Sequence, residues 1–317
     1  MRSVIEVENL VKKYKTSDKA AVNDVSFNVQ EGEFFTFLGP NGAGKTTTIS
    51  ILNTTLAKSS GRVMIAGHDI DKHPLKVRQN IGVIFQTPSL DSNLTAEENI
   101  RFHATLYGVF PFSPLYSLMP QSYKKKVDEL ASILGIQDTL HQPIKTFSGG
   151  MKRKLEIIRG LIHSPKVLFL DEPTTGLDPE SRKNLWEYLK TVRKNTQTTI
   201  FLTTHYLEEA ENSDRVCIIT NGQIASLSTP EKLKRSLVTE KLIVDADDRP
   251  ALLAQLKKLK LAPVGDGPFT LNLRNESVQE IIAQLSKAKI KLSVLRTQTP
   301  TLEEAYLAVV EKNHAHS

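Results

Sequence analysis

The run Gly39-Pro40-Asn41-Gly42-Ala43-Gly44-Lys45-Thr46 constrains this chain more than any other stretch. An apolar segment, Phe34-Phe35-Thr36-Phe37-Leu38, precedes it, and a helix-compatible segment, Thr47-Thr48-Ile49-Ser50-Ile51-Leu52, follows. A GxxxxGK[ST] pattern set between a strand and a helix reads as a phosphate-binding loop. Its glycines let the backbone curl until several N–H groups face one anion. A helix beginning near Lys45 adds the positive end of its dipole. Lys45 supplies a point charge for the outer phosphates, and the Thr46 hydroxyl suits a Mg²⁺ ion. The plain rival is a glycine-rich turn that binds nothing, and the match at every motif position with both flanks weighs against it. A nucleoside-triphosphate site is expected.

At 317 residues the chain has room for two domains and a substantial core. No run approaches the ~18 apolar residues of a membrane span. The first residues lack the charged-then-apolar layout of a secretory signal. A single cysteine, Cys217, leaves no internal disulfide and no cysteine metal cage, which suits a reducing cytoplasm. The net charge of +6 permits contact with anionic surfaces without demanding it.

Residues 4–29 alternate apolar and polar twice, as antiparallel strands do, with Tyr14 in the basic turn between them. Two further strands are expected at 61–67 and 81–85. Residues 95–143 read as helical, interrupted by a proline-rich apolar insert at 110–120. A packed surface loop is the favoured reading of that insert, over an exposed partner-binding patch. A helix over 151–162, a buried strand over 167–170, a helix over 180–194 and a strand over 199–203 follow. Asn221-Gly222 then predicts a hairpin. Strands alternating with helices predict an α/β core with a mostly parallel sheet. Past Pro230 the expected order is βαββαβ with a hairpin at Gly265-Asp266-Gly267, and a last helix over 302–310. That order suits a small ferredoxin-like α+β domain over 230–317.

Two more features carry chemistry. Asp171 and Glu172 close the apolar run 167–170, at the strand end where a phosphate loop opens. Asp171 there serves a Mg²⁺ shell, and Glu172 accepts a proton from an attacking water. Ser148-Gly149-Gly150 introduces a second helix start with free N–H groups and a hydroxyl. Taken alone, that feature reads as an ordinary N-cap.

Together these residues resemble the ATP-binding cassette (ABC) ATPases, the nucleotide-binding subunits of membrane transporters, over roughly residues 3–228. The resemblance implies ATP and Mg²⁺ as ligands, on a P-loop core with an antiparallel β subdomain and a helical subdomain at about 95–163. The expected cassette spans 1–229. Residues 39–46 match Walker A, joined by Thr47, and residues 167–172 match Walker B with Glu172 as its catalytic glutamate. Ser148, Gly149 and Gly150 match the signature, which in such proteins caps ATP held by the opposite subunit of a head-to-tail dimer. Gln86 matches the Q-loop glutamine, a sensor of metal and attacking water. Asp178 matches the D-loop, and His205 the switch histidine at the γ-phosphate. Tyr14 falls where the family stacks a ring on adenine.

The wording Phe147-Ser148-Gly149-Gly150-Met151-Lys152-Arg153-Lys154-Leu155-Glu156 is similar to type-2 exporters of the daunorubicin-resistance kind, as is the ending Thr299-Pro300-Thr301-Leu302-Glu303-Glu304-Ala305-Tyr306. The resemblance therefore implies a separate transmembrane permease, and a second copy or a paralogous ATPase as dimer partner. It also implies a cytoplasmic, peripheral place on the membrane's inner face, and no nucleic-acid partner. The rival class, a soluble cassette acting on ribosomes or DNA, generally carries two cassettes or long coiled coils, and this sequence has neither.

Overall fold

The computed structural model describes residues 2–87, 89–237, 240–273, 277–298 and 300–314. It divides into two compact units, Met1–Leu227 and Ser228–Ser317. In the first unit β1 (Ser3–Lys13) and β2 (Ala20–Gln30) pair antiparallel, and β3 (Phe34–Leu38) leads through the glycine loop into α1 (Lys45–Leu52). Next come β4 (Ser60–Ile65), β5 (His68–Asp69), α2 (Pro74–Asn80) and β6 (Ile81–Ile84). The helices α3 (Ala96–Leu106), α4 (Gln121–Leu134) and α5 (Gly149–Leu161) form the helical part. The chain then alternates through β7 (Val167–Asp171), α6 (Pro179–Thr196), β8 (Thr199–Thr204), α7 (Leu207–Ala210), β9 (Arg215–Thr220) and β10 (Gln223–Ser228).

The central sheet has the order β10-β9-β3-β8-β7-β6, and its pairs from β9 to β6 are parallel. Strands β3, β7 and β8 are buried at every residue, as a parallel sheet covered on both faces requires. Their side chains alternate between two cores. Phe35, Phe37, Phe169 and Phe201 join the antiparallel sheet β2-β1-β4-β5 on one face, with Phe35 and Phe201 stacked at 5.4 Å. Phe34, Leu168, Leu170, Ile200 and Leu202 face the helices on the other. The parallel register brings the carboxyl ends of β3, β8, β7 and β6 to one edge, so the loops leaving those strands are neighbours there.

The helical part differs from expectation in one place. The 110–120 insert is a packed loop only in part. Phe110 and Tyr116 pack on the helical core, Met119 is buried, and Arg101 Nη1 donates to the Ser113 carbonyl at 2.5 Å. Phe112, Leu115 and Leu118 nevertheless stand more than half exposed.

The second unit runs α8 (Pro230–Leu237), β11 (Glu240–Ala246), α9 (Arg249–Lys258), β12 (Phe269–Leu273), α10 (Val278–Lys287), β13 (Leu292–Gln298) and α11 (Leu302–His314). Its described strands form one antiparallel sheet in the order β12-β11-β13. The expected hairpin partner of β12 is reduced to a single bridge, Val264 to Thr270. Pro263 on one side and Gly265 on the other leave no length for a strand. Of the exporter-like ending, Thr299 lies outside the described residues.

Candidate active site

Four loops meet at the carboxyl edge of the parallel sheet. The first follows β3. Gly44 holds φ 106°, and a Cβ there would lie 2.5 Å from the Ala21 carbonyl oxygen, so only glycine lets the loop pass this close to β2. Lys45 is the first residue of α1 and is 4% exposed. Its Nζ turns back to donate to the carbonyls of Gly39 at 2.7 Å and Pro40 at 3.1 Å. Burial pulls the Lys45 ammonium below its usual pKa, against the opposing pull of Glu172 and Asp171. Asn41, Gly42, Gly44, Lys45, Thr46, Thr47, Gln86 and Glu172 line a common cleft. Ala43 is buried beneath the loop, and its carbonyl accepts from the Gly222 amide at 3.1 Å.

The second loop follows β7. The Asp171 carboxylate accepts a hydrogen bond from the Thr203 hydroxyl, the residue opposite it on β8. Burial pushes the Asp171 carboxyl up, and the Thr203 bond offsets part of that. Glu172 holds φ 44°, a left-handed value that costs a non-glycine residue about 1–3 kcal/mol. Its amide donates to the Thr203 carbonyl at 3.0 Å. Its carboxylate meets three partners from three other loops. Lys45 Nζ lies 3.5 Å from Oε1, His205 Nδ1 lies 3.2 Å from Oε1, and Gln86 Nε2 donates to Oε2 at 3.3 Å.

Tyr14 sits beside this group, its hydroxyl 3.3 Å from Thr47 Oγ1 and its ring partly exposed under the Lys12 ammonium.

The remaining predicted residues form a separate group. The helix α5 starts two residues earlier than expected, so Gly149 and Gly150 lie in its first turn and Ser148 is its N-cap, accepting from the Met151 amide at 3.2 Å. Asp178 caps α6, accepting from the Ser181 amide at 2.9 Å and hydroxyl at 2.6 Å; those bonds hold its carboxyl below the usual range. A Cβ on Gly150 would lie 3.0 Å from Ser181 Oγ, so the two caps adjoin.

Sequence reasoning missed Thr203, which ties Asp171 and Glu172 to β8. The signal is a polar residue in a wholly buried strand, and the register supplies its partner. It also missed Arg153 and Glu156, both buried on α5.

The electrostatic fit to a polyphosphate and a cation is direct. A buried ammonium ends in the cleft, the Glu172 carboxylate lies 3.5 Å from it, and Thr46 is an exposed residue of the same lining. The oxygen-rich, uncaged donor set suits Mg²⁺, which keeps several waters.

Comparison with known proteins bears on this geometry. Residues 22–175 match the family model described as ABC transporter. The chain is 33% identical to a daunorubicin resistance ATP-binding protein of Streptomyces coeruleorubidus, covering 96% of this chain and 95% of that one. It is 34% identical to a linearmycin resistance ATP-binding protein of Bacillus subtilis, covering 96% and 97%. Among solved structures it is similar to a dimeric bacterial ABC transporter cassette, MJ0796, with a TM-score of 0.62 and 25% identity, covering 71% of this chain and 98% of that one.

Proposed function

The chain belongs to the ABC transporter family as an ATP-binding subunit, and we propose that it hydrolyses Mg²⁺-ATP to drive export of a small molecule through a separate membrane permease. The observation that carries the reading is the convergence of Lys45, Gln86 and His205 on Glu172. On this reading Lys45 and the loop amides of residues 39–47 hold the phosphates, and Tyr14 covers the base. Thr46, Asp171 and Gln86 would hold Mg²⁺, which would supply positive charge against that of the phosphates. Glu172 takes the proton of the attacking water, its carboxylate kept in place by the left-handed backbone and by Thr203. Gln86 and His205 orient water and γ-phosphate. An incoming phosphate competes with Glu172 and the loop carbonyls for Lys45, so substrate binding frees the carboxylate to act as base.

Ser148, Gly149, Gly150 and Asp178 complete the site of a second copy or a paralogous ATPase in a head-to-tail dimer. The dimeric cassette supports that arrangement. The chain would work at the cytoplasmic face of the membrane; among the described residues no helix is long and apolar enough to cross it. The cargo is a drug, lipid, glycan or other small molecule on this reading, and the resistance roles of the two relatives favour the first. Residues 230–317 act as an accessory domain of split-βαβ type. A chain ending at Leu227 is therefore expected to bind Mg²⁺-ATP within about twofold of full length, a difference under ~0.5 kcal/mol; loss of binding in a folded truncation contradicts that independence.

Co-expression with a neighbouring gene product of about six hydrophobic spans tests the function. The pair should co-purify and accumulate drug in inverted vesicles only with ATP. An active ATPase that sediments with ribosomes or nucleic acid and never with such a chain overturns the reading.

A further inference from the structure

The loop carrying Gln86 is held by one helix, α5, whose N-cap is Ser148. Strand β6 packs on α5 so closely that a Cβ on Gly82 would lie 2.2 Å from the Gly160 carbonyl oxygen. Beyond β6, three side chains of α5 take up the loop's backbone groups. Arg153 Nη1 donates to the Phe85 carbonyl at 2.7 Å, and Nη2 donates to the Gln86 carbonyl at 3.1 Å. Glu156 Oε1 accepts from the Ser89 amide at 3.0 Å, and Arg159 Nη1 donates to the Ser89 carbonyl at 2.7 Å. Arg153 and Glu156 are themselves paired at 2.8 Å, and each is about 95% buried, at 4% and 5% exposure.

Taking two charges out of water is costly, and an apolar pair would hold helix against strand equally well. What an apolar pair cannot supply is the fork of donors that satisfies two successive carbonyls while its partner accepts an amide. We propose that Arg153 and Glu156 are positioning residues that fix Gln86 in the catalytic cleft and make it move as one body with the Ser148-Gly149-Gly150 turn. The inference rests on the role assigned to Gln86 above. Its consequence is that docking of α5's N-terminus on a partner's nucleotide is transmitted to Gln86 through two side chains and a rigid helix, with no rearrangement of the Lys45 loop.

The test is a double-mutant cycle on the full-length chain, reading kcat, ATP affinity and exchange of the Ser89 amide. Arg153→Met should lower kcat about ten- to a hundredfold, the scale of a ~1 Å misplacement, with ATP affinity within about twofold. Exchange at Ser89 should speed up. In a Gln86→Ala background the same substitution should change kcat less than about twofold, because the residue it positions is gone. Arg153→Lys, which keeps the charge and one carbonyl contact, should fall between and remains available if the methionine variant does not fold. An equal loss in both backgrounds, or unchanged kcat and exchange in Arg153→Met, overturns the proposal and leaves the role of Gln86 standing. If Gln86→Ala alone hydrolyses ATP at the wild-type rate, the assigned role of Gln86 fails, and this proposal fails with it.

Discussion

The two groups proposed to meet phosphate are built in opposite ways. At the Lys45 group the charged centre of Lys45, Asp171 and Glu172 is buried, with Gln86 and His205 exposed at its rim, and the ties run across the fold: α1, β7, β8 and the loop after β6 all end on one carboxylate. At the Ser148 group each hydrogen bond is local, one helix cap to its own first turn, and Ser148, Gly149 and Asp178 are exposed. The difference teaches which site is finished. Long-range ties in a low-dielectric cleft position charge for a reaction within the chain. Locally satisfied caps leave further N–H groups at a helix start, which suit an anion brought by a second body, the arrangement proposed above.

The largest expected effect lies in the buried group. Glu172→Gln keeps the size of the side chain but removes the base and its ion pair with Lys45, so hydrolysis should slow about 10²–10⁴-fold while ATP binding persists. An ATP-stabilised dimer should then accumulate on gel filtration. Turnover within a few-fold of wild type would remove Glu172 from the mechanism. Next comes Lys45→Ala. A hydrogen bond to a charged group contributes about 1.5–3 kcal/mol, so losing its contacts should weaken ATP by ~10²-fold or more. Near-normal binding of labelled ATP would contradict the assignment.

The same contrast explains what was legible in the sequence. Gly39, Gly44 and Lys45 announce themselves because curling a backbone around phosphate admits few residue types at fixed spacing, and Glu172 does so as part of the acidic pair closing the apolar run 167–170. Their strand–loop–helix setting follows from the wholly apolar run at 34–38 and the alternation of helices and strands. Thr203 was not legible as a partner of Asp171, because that contact depends on the β7–β8 register. Arg153 and Glu156 look like ordinary charges on an amphipathic helix until β6 is seen lying against them. Tyr14 was placed by resemblance, and only the turn between β1 and β2 brings its hydroxyl to Thr47. The βαββαβ expectation erred where hydrophobic alternation meets Pro263 and Gly265, since pattern alone does not say whether a short run has length to pair.

The exposed group gives the smaller and more telling effect. Ser148→Arg should cost a homodimer about 10²-fold in turnover, the scale of losing a preorganised donor at an anion, while ATP affinity of the isolated chain stays unchanged. That loss alone does not separate a site shared between two chains from one built within a single chain. Mixing does. Let one chain carry Glu172→Gln with its signature intact, and the other Ser148→Arg with its Glu172 intact. Each homodimer is nearly inactive. In the mixed dimer of the shared-site arrangement, one site gathers both lesions and the other pairs an intact base with an intact cap. With random subunit exchange half the dimers are mixed and half their sites are whole, so roughly a quarter of wild-type turnover should return. Sites built within single chains would each keep one lesion, and mixing would restore nothing. Subunit exchange and ATP occupancy are measured in the same mixture by donor–acceptor labels and by bound nucleotide. With both confirmed, a mixture as inactive as its parents would mean that the exposed group faces something other than a second cassette.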